Sequence, residues 1–329
     1  MAPAPAPSRP TTTVGSAAAT TTVKPAANGV DVPGLYVVAP DGTGLRRLMD
    51  GYGDFSWSPD GTRLAYADGG VVTIVAADGS GRSVLRTARE AFAPLWSPDG
   101  TRIAFGTSSG GTYVARADGS GDAMLVEPDR LAHLYGWTPD GRLVVIRSIP
   151  NNYSEVVVYD LAGGRRVLAA DAQPFVQPRV SPDGRLVAYL KDRIAVASID
   201  GSGTTGLTDP CCASESVGSP LAWSPDSRRL AFIHYGDVWV VGADGSGDRV
   251  FVPGATDPAW SPDGRMAVIG DGTQRIDGKA QSGLQVVDGN GGGRRTVLVP
   301  ARGFWPRAPA WSPTGRLIAL MVSPPLTGI

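Results

Sequence analysis

The sequence predicts an all-β fold: a seven-bladed β-propeller with four antiparallel strands per blade, closed by pairing of the amino-terminal and carboxy-terminal hairpins in one blade. Three observations carry that expectation. A Trp-Ser-Pro-Asp-Gly turn is written seven times, an Asp-Gly hairpin is written seven times between those turns, and each end of the chain holds half a repeat. A period near 40 residues built of short strands is the signature of propeller blades.

The first word reads WSPDG at 57–61, 96–100 and 260–264, WTPDG at 137–141, VSPDG at 180–184, WSPDS at 223–227 and WSPTG at 311–315, with spacings of 39, 41, 43, 43, 37 and 51. Its chemistry is that of a type I turn: Ser at the first position, Pro fixing φ at the second, Gly at the fourth. After it come strands such as RLAYA (63–67), RIAFG (102–106) and RLAFI (229–233), whose apolar alternation marks packed strands. The second word is an Asp-Gly turn between apolar runs, as in VTIVAADGSGRSVL (72–85) and VWVVGADGSGDRVF (238–251); this is the strongest short hairpin signal. Each repeat is therefore two hairpins, and no stretch reads as helix.

Proline placement orients the blades. Pro94, Pro178, Pro258 and Pro309 stand two residues before the Trp (or Val180), and Pro220 three before. Proline is tolerated on an edge strand, so this strand is the innermost one, with its free edge on the channel. The Trp is expected to pack between neighbouring blades. The repeats begin with a lone second hairpin at 35–48 and finish with a lone first hairpin at 308–322, which together make one blade. Such closure removes exposed sheet edges.

The remaining composition bounds the organisation. Residues 1–34 are mostly Pro, Ala and Thr and read as a disordered linker that can tether the domain to an envelope; residues 35–329 read as a single propeller domain. A formal net charge of -1 gives no nucleic-acid surface, and no apolar run reaches the ~18 residues of a membrane helix.

The Trp-Ser-Pro-Asp-Gly turn, the Arg-(Leu/Ile)-Ala strand after it and the Asp-Gly-(Ser/Thr)-Gly hairpin resemble the WD-like propeller repeats of the TolB family, over about residues 35–322. TolB proteins are periplasmic, join a six-bladed propeller to an amino-terminal α/β domain and bind partner proteins of the envelope. Seven blades are expected here, and residues 1–34 cannot form the α/β domain. The resemblance implies a periplasmic, secreted or envelope-anchored binding module rather than TolB itself.

Function is expected on the end that carries the connections between blades and between second and third strands, since these differ blade by blade while the two turn words repeat. They supply Arg89, Glu90 and Phe92 (87–93), Arg130, His133 and Tyr135 (128–135), Tyr153 (148–154), Phe175 and Gln177 (171–177), His234 and Tyr235 (234–237), and Arg302, Trp305 and Arg307 (300–307). An aromatic and arginine-rich rim suits a protein, peptide or glycan partner. The expected function is a monomeric, non-catalytic extracytoplasmic binding module with no cofactor and no metal. The alternative is a lyase or hydrolase acting at the channel mouth through His133, His234 and Glu90. Gly-Thr-Ser-Ser-Gly at 106–110 matches a nucleophile elbow in letters, but it lies between strands where the elbow needs a strand-to-helix turn. Cys211 and Cys212, the two cysteines, are adjacent. A strained vicinal disulfide, two thiols, or pairing with another chain all remain open.

Overall fold

Each repeat of the sequence forms one four-stranded antiparallel meander, and seven of them close a ring. The structure, a computed structural model, describes residues 30–129, 132–149, 153–172, 177–209, 220–276 and 279–324. Blade 1 comprises β3–β6 (54–89), blade 2 β7–β10 (91–127), blade 3 β11–β14 (132–172), blade 4 β15–β18 (179–206), blade 5 β19–β22 (222–252) and blade 6 β23–β26 (255–298). Blade 7 is made from both ends of the chain: β27 (Trp305–Trp311) and β28 (Ile318–Ser323) lie beside β1 (Gly34–Val38) and β2 (Arg46–Met49). The closing pair runs from Gly34 opposite Val322 to Val38 opposite Ile318. No helix occurs among the described residues.

Strand periodicity explains why the blades stack. In β4 (Arg63–Asp68) Leu64 and Tyr66 face blade 7, whereas Ala65 and Ala67 face blade 2. Successive side chains leave a strand on opposite faces, so a blade with both faces covered reads as a nearly unbroken apolar run. Seven apolar clusters result, each shared by two neighbouring blades. Val30, Tyr36 and Leu320 belong to the cluster between blades 6 and 7, and the Val30 carbonyl accepts the Ala301 amide at 2.8 Å.

The tryptophans tie consecutive blades as expected. The indole N–H groups of Trp57, Trp137, Trp223 and Trp311 donate to the carbonyls of Ala310, Leu95, Arg179 and Ala259, each on the inner strand of the preceding blade. Arginines stack across seams as well: Arg63, Arg229 and Arg265 lie 4.7, 4.7 and 4.9 Å from the ring centroids of Trp96, Trp260 and Trp311 in the next blade, which adds the seams between blades 1 and 2 and between blades 5 and 6.

The Ser-Pro-Asp-Gly turn is held by a fixed set of bonds. The Gly61 amide donates to the Ser58 carbonyl at 2.8 Å, the Ser58 hydroxyl donates to Asp60 at 2.5 Å and accepts the Arg63 amide at 2.9 Å, and the Asp60 carboxylate accepts the Thr62 amide. The first residue of all seven turns is buried: Ser58, Ser97, Thr138, Ser181, Ser224, Ser261 and Ser312. The Asp-Gly hairpins repeat another device, in which Asp41, Asp78, Asp118, Asp200 and Asp244 accept the backbone amide two residues on.

One predicted connection is built differently. Residues 270–283 are expected as one of the variable connections, yet β24 (Met266–Ile276) and β25 (Lys279–Val287) continue pairing out to Ile276 opposite Lys279.

Two outcomes follow from these bonds. Trp137→Phe should destabilise the protein by about 1 kcal/mol more than Trp96→Phe in urea unfolding. Only the first removes a hydrogen bond, since the Trp96 indole nitrogen has no acceptor within reach. The turn carboxyls predict acid sensitivity. The Ser58 hydroxyl and then the Thr62 amide hold Asp60 below the usual carboxyl range, and the Arg265 guanidinium and then the Ser261 hydroxyl pull Asp263 down to about 2. A carboxyl depressed on folding adds stability above its unfolded value near ~4, and that stability disappears as pH falls through the folded value. Asp263→Asn should therefore be less stable than the parent at pH 7, and the two unfolding curves should converge as pH approaches 2.

Candidate binding site at the channel mouth

An antiparallel meander places both constant turns of every blade at one end of the ring and both kinds of variable connection at the other. The inner strands surround a central channel of about 750 Å³. Its wall is largely apolar, with Pro94, Pro220, Pro258 and Pro309 among the lining residues, in agreement with prolines on a free strand edge.

The prolines also shape the channel backbone. Ala93, Asp257 and Ala308 each precede a channel proline and take positive φ values of 47°, 50° and 48°. Each sits in a register shift, between Phe92 and Leu95, Thr256 and Ala259, and Arg307 and Ala310. These are β-bulges that bend the inner strand at the same height in blades 2, 6 and 7. Two carboxylates lock two of them. Asp54 accepts the Ala93 amide of the next blade at 3.1 Å, and Asp257 accepts the Ala308 amide of the next blade. Burial pushes the Asp257 carboxyl above its ordinary value, opposed by the bonds from Thr256 and Ala308 and by the nearby Arg307 guanidinium.

Across the ring, on blade 4, β15 (Arg179–Val180) sends Arg179 into the channel. Its Nη2 donates to Gln177 Oε1 at 2.7 Å and its Nη1 to the Pro178 carbonyl at 3.2 Å. Withdrawal from bulk water holds this guanidinium below the usual arginine value. Tyr135 lines the same wall, and burial raises its phenol. Asp54, Asp257 and Arg179 were not among the sequence candidates. They sit in the inner strands, where attention to variable loops does not reach.

The sequence-selected residues divide. Tyr135, Gln177 and Arg307 line the channel. His133 and Tyr135 lie on the inner strand β11 (Ala132–Trp137), their rings 6.4 Å apart, and not in a loop. Phe92 lies on β7 (Ala91–Trp96) with its ring over Gly106, where an added Cβ would fall 2.7 Å from the ring. Trp305 is half-exposed at the start of β27, and Arg302 is exposed in the connection before it. Tyr153 opens β13 (Tyr153–Tyr159), and Tyr235 occupies the tight turn between β20 (Arg229–His234) and β21 (Asp237–Gly242) with φ of 50°. His234 is buried against Tyr235 and Trp239, at centroid distances of 4.1 and 5.3 Å. It belongs to blade 5 and His133 to blade 3, so the histidines sit on blades that are not neighbours. Glu90, at φ of 53°, accepts the Ser108 hydroxyl at 2.9 Å. Arg89 lies in β6 (Ser83–Arg89), and its side chain is outside the description; Arg130, Phe175, Cys211 and Cys212 lie outside the described residues. Among the described residues no group of three or more His, Cys, Asp or Glu side chains is placed to hold a metal ion, and no helix is long and apolar enough to cross a membrane.

No protein-family model matches the sequence, and no curated protein matches it. Solved structures do. A putative TolB from Agrobacterium tumefaciens superposes with a TM-score of 0.55 at 19% identity, over 89% of this chain and 99% of its own. An oligogalacturonate lyase from Vibrio parahaemolyticus gives 0.64 at 12% identity, over 90% and 98%. An oligogalacturonate lyase in complex with manganese gives 0.60 at 13%, over 90% and 91%. Likeness at these identities is likeness of fold, and the fold is a TolB-like β-propeller.

The bulges make a prediction about strain. A left-handed backbone costs a non-glycine residue about 1–2 kcal/mol, whereas glycine in a strand ordinarily costs about 0.5–1 kcal/mol. Ala93→Gly should therefore leave stability unchanged or raise it by up to ~1 kcal/mol in chemical denaturation. The same exchange at Ala65, in the middle of β4 and fully buried, should lower stability.

Proposed function

We propose that the protein is an extracytoplasmic, non-catalytic binding module that recognises a protein, peptide or glycan partner with the loop-bearing end of its propeller. One observation carries the reading. Among the described residues the large aromatic side chains left exposed are Tyr52, Tyr153, Tyr235 and Trp305, at 40, 52, 69 and 47% exposure. All four belong to connections, or to strand starts next to connections, at the same end of the ring. Exposed aromatics confined to one end of a rigid ring supply binding energy at low entropic loss. The constant end carries none of them. The Pro/Ala/Thr-rich segment ahead of the domain and the TolB-like fold support a setting outside the cytoplasm.

A second reading, a lyase or hydrolase with chemistry at the channel mouth, draws on the lyases among the fold neighbours and on His133 standing on an inner strand. The two readings separate on experiment. A partner selected from peptide and glycan arrays should lose at least about tenfold in affinity on Tyr235→Ala combined with Trp305→Ala, with thermal unfolding unaltered. Unaltered affinity would remove the aromatic end as the binding surface. Turnover of any array ligand that is abolished by His133→Ala would favour the enzyme.

A further inference from the structure

Blade 4 breaks the repeat at two adjacent positions. Six of the seven turns are preceded by Trp, and the seventh by Val180. The residue before that position is Ser56, Leu95, Gly136, Ala222, Ala259 or Ala310 in the other blades, small or apolar every time, and Arg179 here. The exchange removes a large inter-blade aromatic and puts a guanidinium in the channel, and neither change serves the ring. The Arg179 backbone keeps its structural duty regardless, its carbonyl accepting the Trp223 indole N–H at 2.9 Å.

The side chain is held but not neutralised. Both of its hydrogen bonds go to neutral oxygens, of Gln177 and Pro178, and no carboxylate pairs with it among the described residues. The two channel carboxylates, Asp54 and Asp257, belong to blades 1 and 6 and are bound to the backbone amides of Ala93 and Ala308. Arg179 is half-buried and faces the open channel, so its guanidinium keeps its charge, with no counter-charge among the described residues, where a ligand can reach it.

We propose that Arg179 is the receptor for a carboxylate, and that this carboxylate is the free C-terminus of a peptide entering the channel from the aromatic mouth. The inference deepens the binding role proposed above and rests on it. A guanidinium fork matches a carboxylate bidentately. With two Asp and two Arg side chains on its wall the channel is formally neutral, which favours a monoanion over a phosphate dianion. The surrounding proline rings, with Leu95, Leu134 and Leu221, offer apolar contacts to side chains. The volume of about 750 Å³ is that of a ligand pocket and holds a few residues.

The test uses the full chain and two mixtures of N-acetyl tetrapeptides, one ending in a free acid and one in a carboxamide, read by saturation-transfer NMR and by thermal unfolding. The parent should bind the acid mixture and ignore the amide mixture. Arg179→Gln should lose the acid binding while its own unfolding temperature stays equal or rises, because an uncompensated charge has gone; a purely structural arginine would give a lower one. Arg179→Lys, which keeps the charge but not the fork, should bind at least about tenfold more weakly. Tyr235→Ala with Trp305→Ala should weaken acid binding while the preference for acid over amide stays, so a failure of the mouth and a failure of the channel site look different. Equal binding of acids and amides, acid binding that persists in Arg179→Gln, or no acid binding by the parent would each overturn the proposal. So would Arg179-dependent binding of a uronic acid trisaccharide in place of the peptides.

Discussion

A β-sheet that is apolar on both faces has to be covered on both faces, and this constraint organises the whole molecule. Strands such as β4 send Leu64 and Tyr66 one way and Ala65 and Ala67 the other, so each blade needs a neighbour on each side. A row of such sheets always leaves two uncovered ends. Pairing β1 with β28 removes them by building blade 7 from both termini, and the cluster containing Val30, Tyr36 and Leu320 becomes equivalent to the six others. Closure is therefore a condition for burying any of the seven interfaces fully, which is why the half-repeats at the two ends of the chain are complementary.

Closure also produces the channel. Seven inner strands meet around an axis with one edge free, and such an edge must be kept from pairing with another chain. Here it is blunted by prolines and by bulges. Ala93, Asp257 and Ala308 adopt left-handed backbone beside their prolines, and Asp54 and Asp257 hold two of these bends through an amide of the next blade. The same features that protect the edge turn polar groups into the cavity. A scaffold requirement and the chemistry of the site thus occupy the same residues, and the cavity inherits its rigidity from the ring.

Most of the fold is legible in the letters because its punctuation is local. Ser58 and Asp60 bond each other and their own backbone within a few residues, and the Asp-Gly hairpins do the same. A turn whose bonds are all local can be read without knowing the rest. The site is less legible, because its members are brought together by the ring and not by the chain. Tyr135, Gln177 and Arg307 were found because they fall in irregular segments, yet the structure makes them wall residues of the channel. Asp54 and Arg179 stand where strands begin, and nothing local shows that one holds an amide of the next blade while the other has no carboxylate partner among the described residues. His133 illustrates the opposite error: a polar residue in a variable stretch reads as loop, but the strand starts at Ala132.

The repeat supplies the missing signal once it is used as an internal control. Seven copies of one structural problem show what the scaffold alone asks for at each position, and a copy that departs from the others without structural gain is answering a different demand. Asp54 and Asp257 depart from their counterparts but return a bond between blades. Tyr153 and Tyr235 depart at positions that face solvent, where the scaffold is indifferent. Val180 and Arg179 depart at the seam itself: an inter-blade aromatic is absent, and a half-buried guanidinium faces the channel beside neutral oxygens. The six tryptophans elsewhere and the seven apolar interfaces can carry one weakened seam. A ring with that surplus is able to keep a charge that none of the described residues neutralises, and the proposed peptide carboxylate is the counter-charge that fits it.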